Sequence, residues 1–384
     1  MRTISILGST GSIGTQALQI AALHPDRFTV TALTAHRQAE ALFGQVRAFR
    51  PRMAGLTGMR AEEAQIPDDL RFCEWHFGPE ALTAAAQADC DDVLVSVVGM
   101  VGLPAVMAAR KAGRRVLLAN KEALVAGGEI VMRESADGPD GPTLIPVDSE
   151  HSAIYQCLRA AQGNPYDKIL LTASGGAFRE YTLEQLEHAT LAQALTHPNW
   201  NMGAKITVDS ASMFNKALEI IEARWLFDAR PDQIQVLIHP QSVVHSMVQF
   251  RDGAVLAQLG APDMRVPIAY AMAYPERIET AAPRADFAAI GQCTFSAVDT
   301  VRFPAVRLAY EALRAGGAAA CMLNAANEAA NAAFRAGSIR FVDIGRVVEE
   351  TLSRIGNRPA HTIEEVTAAD DLARRTAGEI LQKL

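Results

Sequence analysis

The feature that most constrains this chain is its opening. Thr3-Ile-Ser-Ile-Leu7 alternates into an apolar run, Gly8-Ser-Thr-Gly11-Ser-Ile-Gly14 follows at once, and a helical pattern runs from about Ser12 to Leu23. Strand, glycine turn and helix in that order open a dinucleotide-binding unit, in which backbone N–H groups approach a pyrophosphate at the positive end of the helix. The spacing is G-x-x-G-x-x-G and not the strict G-x-G-x-x-G, so glycines chosen only for tight packing are the competing reading. The same rhythm repeats. Strands are expected at residues 2–8, Phe28–Leu33, Met53–Leu56, Val93–Val98 and Arg115–Ala119, with helices between them, including Leu103–Ala112. That pattern predicts a doubly wound parallel sheet.

The ends of these strands carry the polar residues. After the second strand, where an acidic residue would select a ribose 2′-hydroxyl, stand His36, Arg37 and Gln38. A cationic pair suits a 2′-phosphate, which points to NADPH over NADH; a plain surface helix start is the alternative. Asn120, Lys121 and Glu122 follow the Arg115–Ala119 strand, where ligands of open α/β sheets bind, with a bare helix start as the dull reading.

Two further stretches carry acids. Thr143 to Val147 reads as a strand, and in an extended chain Asp148 and Glu150 would project together from its end. Ser212 to Phe227 reads as an amphipathic helix, capped by Ser210 or Ser212, with Asn215, Glu219 and Glu222 along the polar face beside Lys216. Such a row is commonly a solvated face. Two carboxylates from one element and one from another would instead form an all-oxygen site suited to Mg²⁺ or Mn²⁺, with Co²⁺ a further candidate. The aperiodic stretch His197 to Gly203, with proline, asparagine and tryptophan, is a loop. Ser174-Gly175-Gly176, after a strand at Ile169–Ala173, wraps an anion or simply makes a tight turn.

The remaining organisation follows from composition and punctuation. At 384 residues the chain exceeds one ordinary core. The reading divides it into a Rossmann-like NADPH-binding domain (1–147), an α+β catalytic, metal-binding and dimerisation domain (148–275), a linker (276–303) and an α-helical bundle (304–384). Residues 133–142 read as a loop, and Arg251-Asp252-Gly253 joins two apolar strands as a hairpin whose exposed face a second copy would cover. His245 in that hairpin reads as a packed histidine. In the bundle, Asn324, Asn327 and Asn331 share a helix face and are expected to pack or to close a cleft. A net charge of −7 argues against nucleic acid and anionic membranes. Five scattered cysteines fit a reduced compartment without a zinc site, and no apolar run or leader pattern directs the chain to a membrane or out of the cytoplasm.

These motifs together resemble the 1-deoxy-D-xylulose 5-phosphate reductoisomerase family. The matching runs are Gly-Ser-Thr-Gly-Ser-Ile-Gly at 8–14, Leu-Ala-Asn-Lys-Glu at 118–122, Pro-Val-Asp-Ser-Glu-His at 146–151, Ser-Gly-Gly at 174–176, His-Pro-Asn-Trp at 197–200, Val-Asp-Ser-Ala at 208–211, Asn-Lys-Ala-Leu-Glu at 215–219 and His-Pro-Gln-Ser-Val at 239–243. The resemblance implies rearrangement and NADPH-dependent reduction of 1-deoxy-D-xylulose 5-phosphate to 2-C-methyl-D-erythritol 4-phosphate by a homodimer. It implies that Asp148, Glu150 and Glu219 bind the metal. Ser174, His197, Ser210, Asn215 and Lys216 would hold the substrate, chiefly its phosphate. Ser149, Lys121, Glu150 and Glu219 would lie at its oxygens, and Lys216 would move protons, with Asp148 and Glu150 supporting catalysis through the metal. Gly8, Thr10, Gly11, Ser12, Ile13, Asn120, Glu122 and Gly203 would contact NADPH. His197 to Met202 would be a flap closing Trp200 over the sugar. One departure is Ala35-His36-Arg37-Gln38, where the family usually has Ala-Gly-x-Asn. The competing functions are an NADPH dehydrogenase of another phosphorylated or semialdehyde substrate without rearrangement, and a non-enzymatic NADPH sensor.

Overall fold

The protein was analysed as a computed structural model that describes residues 1–133, 143–200 and 202–384. The expected loop over 133–142 therefore lies, beyond Arg133, outside the described residues. The chain forms two compact units that interleave. Met1–Ala123, Val131–Ser152 and Asp263–Pro283 make the first; Leu124–Ile130, Ala153–Pro262 and Arg284–Leu384 make the second. The consecutive blocks read from the sequence do not follow this division, because the chain returns to the first unit at Asp263.

In the first unit, β1 (Arg2–Leu7), β2 (Phe28–Ala35), β3 (Met53–Leu56), β4 (Glu74–Phe77), β5 (Asp92–Val95), β6 (Arg115–Leu118) and β7 (Leu144–Pro146) form one sheet in the order β4-β3-β2-β1-β5-β6-β7. Every pairing is parallel. A parallel sheet covered on both faces needs apolar residues at successive positions, and Val93, Leu94 and Val95 are all fully buried. The expected strand at Val93–Val98 stops at Val95 because β1 ends opposite it, at Leu7. The last ladder bond there runs from the Ser96 N–H to the Leu7 carbonyl oxygen, and beyond it the carbonyl oxygens of Val97 and Gly99 are met by the Asn120 side chain and not by a strand. β4 was not expected: as an edge strand it tolerates Glu74 and His76 among its aromatics. The order reverses between β1 and β5, and this switch point lies beside the glycine turn. The helix Arg265–Ala273 packs on the helix Ser12–Leu23, and Arg115 binds Asp92 while reaching the carbonyl oxygens of Met272 and Tyr274. These contacts place residues 263–283 with the first unit.

In the second unit, β8 (Tyr166–Ala173), β9 (Ile234–Ile238), β10 (Val244–Phe250), β11 (Val255–Leu259) and β12 (Ser296–Ala297) are ordered β11-β10-β8-β9-β12, with only β8 and β9 parallel. The hairpin turn is as expected, with Gly253 at φ +87°. The helices Pro304–Ala315, Ala319–Arg335, Asp343–Ile355 and Ile363–Leu381 match the expected bundle closely. Their apolar faces (Phe334, Ile344, Val347, Ile380) share one core with the sheet's Leu171 and the helix residues Phe214 and Ile221. Among the described residues no helix is long and apolar enough to cross a membrane.

Candidate active site

The glycine turn has the shape its sequence requires. Gly8 sits at φ +82°, and a Cβ there would lie 2.9 Å from the Ser96 carbonyl oxygen at the end of β5. A Cβ at Gly14 would lie 2.4 Å from the Gly8 oxygen, so the helix can start against the turn only if this residue is glycine. No side chain caps the helix at Gly11, and Gly11 and Ser12 are exposed with Thr10 and Ile13 half-buried. The first-turn N–H groups therefore present an open, electropositive cradle of the kind a pyrophosphate occupies. At the end of β2, His36, Arg37 and Gln38 are all exposed, and His36 Nδ1 lies 3.1 Å from Thr57 Oγ1.

Asn120 is fully buried. Its amide donates to the carbonyl oxygens of Val97 and Gly99, each at 3.0 Å, and to Glu122 Oε2 at 3.1 Å, while its Oδ1 accepts from the Ala123 N–H. Asn120 and Glu122 thus brace the β5 and β6 loop ends on the side where the sheet binds ligands.

The acidic triplet departs from expectation. The helix Ser149–Ala160 begins directly after Asp148, so Asp148 and Glu150 are not alternate residues of an extended strand. Asp148 precedes the helix and its Oδ1 accepts from the Ser149 N–H; Glu150 lies in the first turn, its Oε2 accepting from Ser149 Oγ at 2.5 Å. Negative charge at a helix N-terminus is favourable, which explains why the acids start this helix. Lys121 Nζ meets Asp148 Oδ2 at 2.5 Å, within the same unit.

In the second unit the helix expected over Ser212–Phe227 is present as Phe214–Leu226, and a further helix that the sequence reading did not expect, Ala204–Ala211, precedes it. Ala204–Ala211 and Phe214–Leu226 meet at Met213, which is left-handed at φ +63°. Neither Ser210 nor Ser212 caps the second helix: Ser210 lies within the first helix, and Ser212 ends it, its Oγ bonding back to Val208 and Asp209. The polar row is not a solvated face. Glu219 and Glu222 are 0% and 1% exposed, Lys216 4%, and Asn215 is half-buried. Asn215 Nδ2 and Lys216 Nζ both donate to the Glu219 carboxylate. A buried carboxylate needs such partners, or a cation.

A second cluster lies in the same unit. Gly175 and Gly176 turn at φ +84° and +68°, and a Cβ on Gly176 would lie 2.5 Å from the Ser210 carbonyl oxygen, so the Ser174 turn is packed against the helix Ala204–Ala211. Ser174 Oγ accepts from the Gly176 N–H and lies 3.1 Å from His197 Nε2. His197 Nδ1 accepts from the N–H groups of Asn199 and Trp200, so the neutral ring carries its proton on Nε2 and points it at Ser174. Asn199, to which the sequence reading gave no role, anchors the loop by donating to Pro240 and Ser242. The Trp200 ring packs beside the half-buried His245, and Asn201 of the expected flap lies outside the described residues. Gly203 opens the helix Ala204–Ala211 and belongs to this second unit, whereas the glycine turn belongs to the first.

A glycine turn at the switch point of a parallel sheet marks the first unit as one of the dinucleotide-binding class. Known proteins narrow the class. Residues 4–128 match the family model described as 1-deoxy-D-xylulose 5-phosphate reductoisomerase, and residues 144–227 and 259–376 match its two C-terminal domain models. A reductoisomerase of that name from Ralstonia nicotianae is 52% identical over 98% of this chain and 97% of its own. One from Laribacter hongkongensis is 47% identical over 98% of each chain. The solved structure of the Zymomonas mobilis reductoisomerase with NADPH covers both chains fully at 40% identity and a TM-score of 0.91. A DOX-P reductoisomerase solved with NADPH, fosmidomycin and magnesium matches at 39% identity and TM-score 0.91, covering 100% of this chain and 98% of that one. This chain belongs to the 1-deoxy-D-xylulose 5-phosphate reductoisomerase family.

Proposed function

We infer that this protein converts 1-deoxy-D-xylulose 5-phosphate to 2-C-methyl-D-erythritol 4-phosphate, using NADPH and a divalent cation, in isoprenoid precursor synthesis. The observation that carries this is identity along the whole length to reductoisomerases of that name. A dehydrogenase acting without rearrangement is not favoured.

The residue roles are argued from chemistry. Asp148, Glu150 and Glu219 would hold the cation: their oxygens form a hard donor set, and Glu219 is a fully buried carboxylate whose neighbours are a lysine and an amide. When bound, Mg²⁺ or Mn²⁺ supplies a Lewis acid for the ketone and hydroxyl oxygens. The glycine turn fits a pyrophosphate, because Gly8 and Gly14 let the backbone close tightly beneath an uncapped first turn whose Gly11 and Ser12 are exposed; Gly8, Thr10, Gly11, Ser12 and Ile13 would line it. NADPH, when bound, supplies the hydride. His36, Arg37 and Gln38 would face its 2′-phosphate, and Asn120, Glu122 and Gly203 its other end.

Ser174, His197, Ser210 and Asn215 bind the substrate phosphate in this reading. The Nε2 proton of His197 and the serine hydroxyls donate to it. Lys121 and Ser149 orient the substrate hydroxyls. Lys216, its ammonium held by Glu219, would return a proton to a substrate oxygen. Trp200 covers the sugar and excludes water. The enzyme works as a cytoplasmic homodimer with no nucleic-acid or membrane partner.

The test is NADPH oxidation with 1-deoxy-D-xylulose 5-phosphate, with and without Mg²⁺ or Mn²⁺, and identification of the product by NMR. A branched methylerythritol phosphate, formed only with metal, is expected. An unbranched alcohol, or turnover indifferent to metal, refutes the reading.

A further inference from the structure

The asparagines of the helix Ala319–Arg335 meet the helix that carries Ser210 at one carboxylate. Asp209, 1% exposed, immediately precedes Ser210. Its Oδ1 accepts from Nδ2 of Asn327 at 2.9 Å and from Nδ2 of Asn331 at 2.8 Å. Its Oδ2 faces Lys205 Nζ at 3.2 Å. Asn331 also donates to the Lys205 carbonyl oxygen, and its own Oδ1 accepts from Arg335. A second tier stands behind. Glu328 faces Lys205 at 3.7 Å and Arg374 at 2.6 Å, and Arg374 grips Asp370 with two hydrogen bonds. All of these groups belong to the second unit.

Stability alone does not account for this arrangement. Asn327 is fully buried, and its Oδ1 has no hydrogen-bond partner among the described residues. Burying an unsatisfied carbonyl costs stability that an apolar residue of the same size would not lose. The helix accepts that cost and places its amide donor on Asp209.

The helix Ala204–Ala211 has reason to need such an anchor. It is 8 residues long, has no side-chain cap at Gly203, and runs into the left-handed Met213. Yet its far face sets the geometry of the candidate phosphate site. The Ser210 carbonyl oxygen and Ala211 Cα lie 2.5 and 2.8 Å from where a Gly176 Cβ would be, and Gly176 in turn donates to Ser174 Oγ. A small shift of this helix therefore changes the spacing of Ser174 and Ser210.

We propose that Asp209, gripped by Asn327 and Asn331, is a positioning residue: through it the C-terminal helices fix the helix Ala204–Ala211 so that the Ser174 and Ser210 hydroxyls are preset for one phosphate group. This rests on the assignment of Ser174, His197 and Ser210 to the substrate phosphate. Preset donors bind without the entropic cost of ordering, whereas a displacement of about 1 Å costs a large part of their effect.

The variants are Asn327→Leu, Asn331→Leu, Asp209→Asn and Asp209→Leu, assayed as full-length enzyme with Mg²⁺. Each leucine variant raises KM for 1-deoxy-D-xylulose 5-phosphate by roughly tenfold or more, the expected size for losing a hydrogen bond to a charged buried group. KM for NADPH and the Mg²⁺ concentration at half-saturation stay within roughly twofold, since a positioning role touches only phosphate binding. Asp209→Asn, which keeps an acceptor oxygen for the two amides, lies between wild type and Asp209→Leu. A fall in kcat with KM unchanged, a parallel rise in KM for NADPH, or wild-type kinetics in the asparagine variants overturns the proposal. Should a leucine variant fail to fold, Asn327→Ser is judged by the same criteria. Ser210→Ala is run alongside. If it leaves KM for the sugar phosphate unchanged, the phosphate assignment itself fails and takes the positioning role with it. If it raises that KM while the asparagine variants match wild type, only the positioning role is overturned.

Discussion

Glu219 shows how much a single side chain can be asked to do. Its carboxylate is fully buried yet ringed by Asn215 and Lys216, so it keeps polar partners and stays available to a cation. Glu219→Gln preserves the shape and removes the charge. The expected result is a loss of roughly 10² to 10³ in kcat/KM, the usual size for removing one preset electrostatic group, with more Mg²⁺ needed for half-saturation and an unchanged circular dichroism spectrum. Wild-type turnover in Glu219→Gln would remove it from the metal site. The thiols give a second residue-scale expectation. Burial pushes Cys73, Cys90 and Cys157 up to about 11 and Cys321 up to about 12, whereas Cys293 is exposed. A buried thiol held protonated reacts slowly. A disulfide reagent at neutral pH should modify Cys293 fast and the other four only after denaturation. Rapid reaction of a second thiol in the native protein would contradict this.

Among elements, the glycine turn is the most demanding. Gly14→Ala drives a methyl group into the Gly8 carbonyl oxygen and Ser9 Cα, both backbone atoms that cannot rotate aside. The turn must open, and overpacking of this kind costs about 1–3 kcal/mol. NADPH affinity measured by fluorescence titration should fall by roughly tenfold or more while affinity for Mg²⁺ is kept; equal NADPH affinity in the variant would show that the turn does not cradle the cofactor. This element was legible from residues 3–23 alone because strand, turn and helix are specified by neighbours in sequence. The C-terminal helices were legible for the same reason. What sequence did not reveal was decided by distant partners. β4 forms because β3 offers an edge, although Glu74 and His76 interrupt its apolar pattern. The helix Ala204–Ala211 went unread because it is only 8 residues long and follows directly on an aperiodic loop, too short for its own period to show. Asp148 and Glu150 were singled out as acids, but the start of their helix at Ser149 was not, since Asp-Ser-Glu fits a strand end and a helix start equally well. The burial of Glu219 and Glu222 was likewise hidden: a polar row on a helix looks solvated until its neighbours are known.

At the scale of the whole molecule, the open question is what covers β11. It is the edge of the second sheet, and Val255, Leu256 and Leu259 are 45%, 39% and 41% exposed. An apolar edge strand with backbone groups unpaired on one side invites association. A second copy of the same strand offers a symmetric and closed solution. The wild-type chain should therefore run at twice its own mass in light scattering at micromolar concentration. Leu256→Lys with Leu259→Lys should run as a monomer, because charge on an edge opposes pairing. An interface on this edge would also have a route to the chemistry. β11 pairs with β10, which carries His245 beside Trp200, and β10 pairs with β8, which runs into Ser174. Loosening the edge should thus disturb the substrate end of the second unit more than the glycine turn of the first. The monomeric variant is expected to show a raised KM for the sugar phosphate with KM for NADPH within roughly twofold of wild type. If the double lysine variant is still a dimer, the interface lies elsewhere; if it is a monomer with unchanged kinetics, the edge serves assembly alone and β10 does not relay its state to the site.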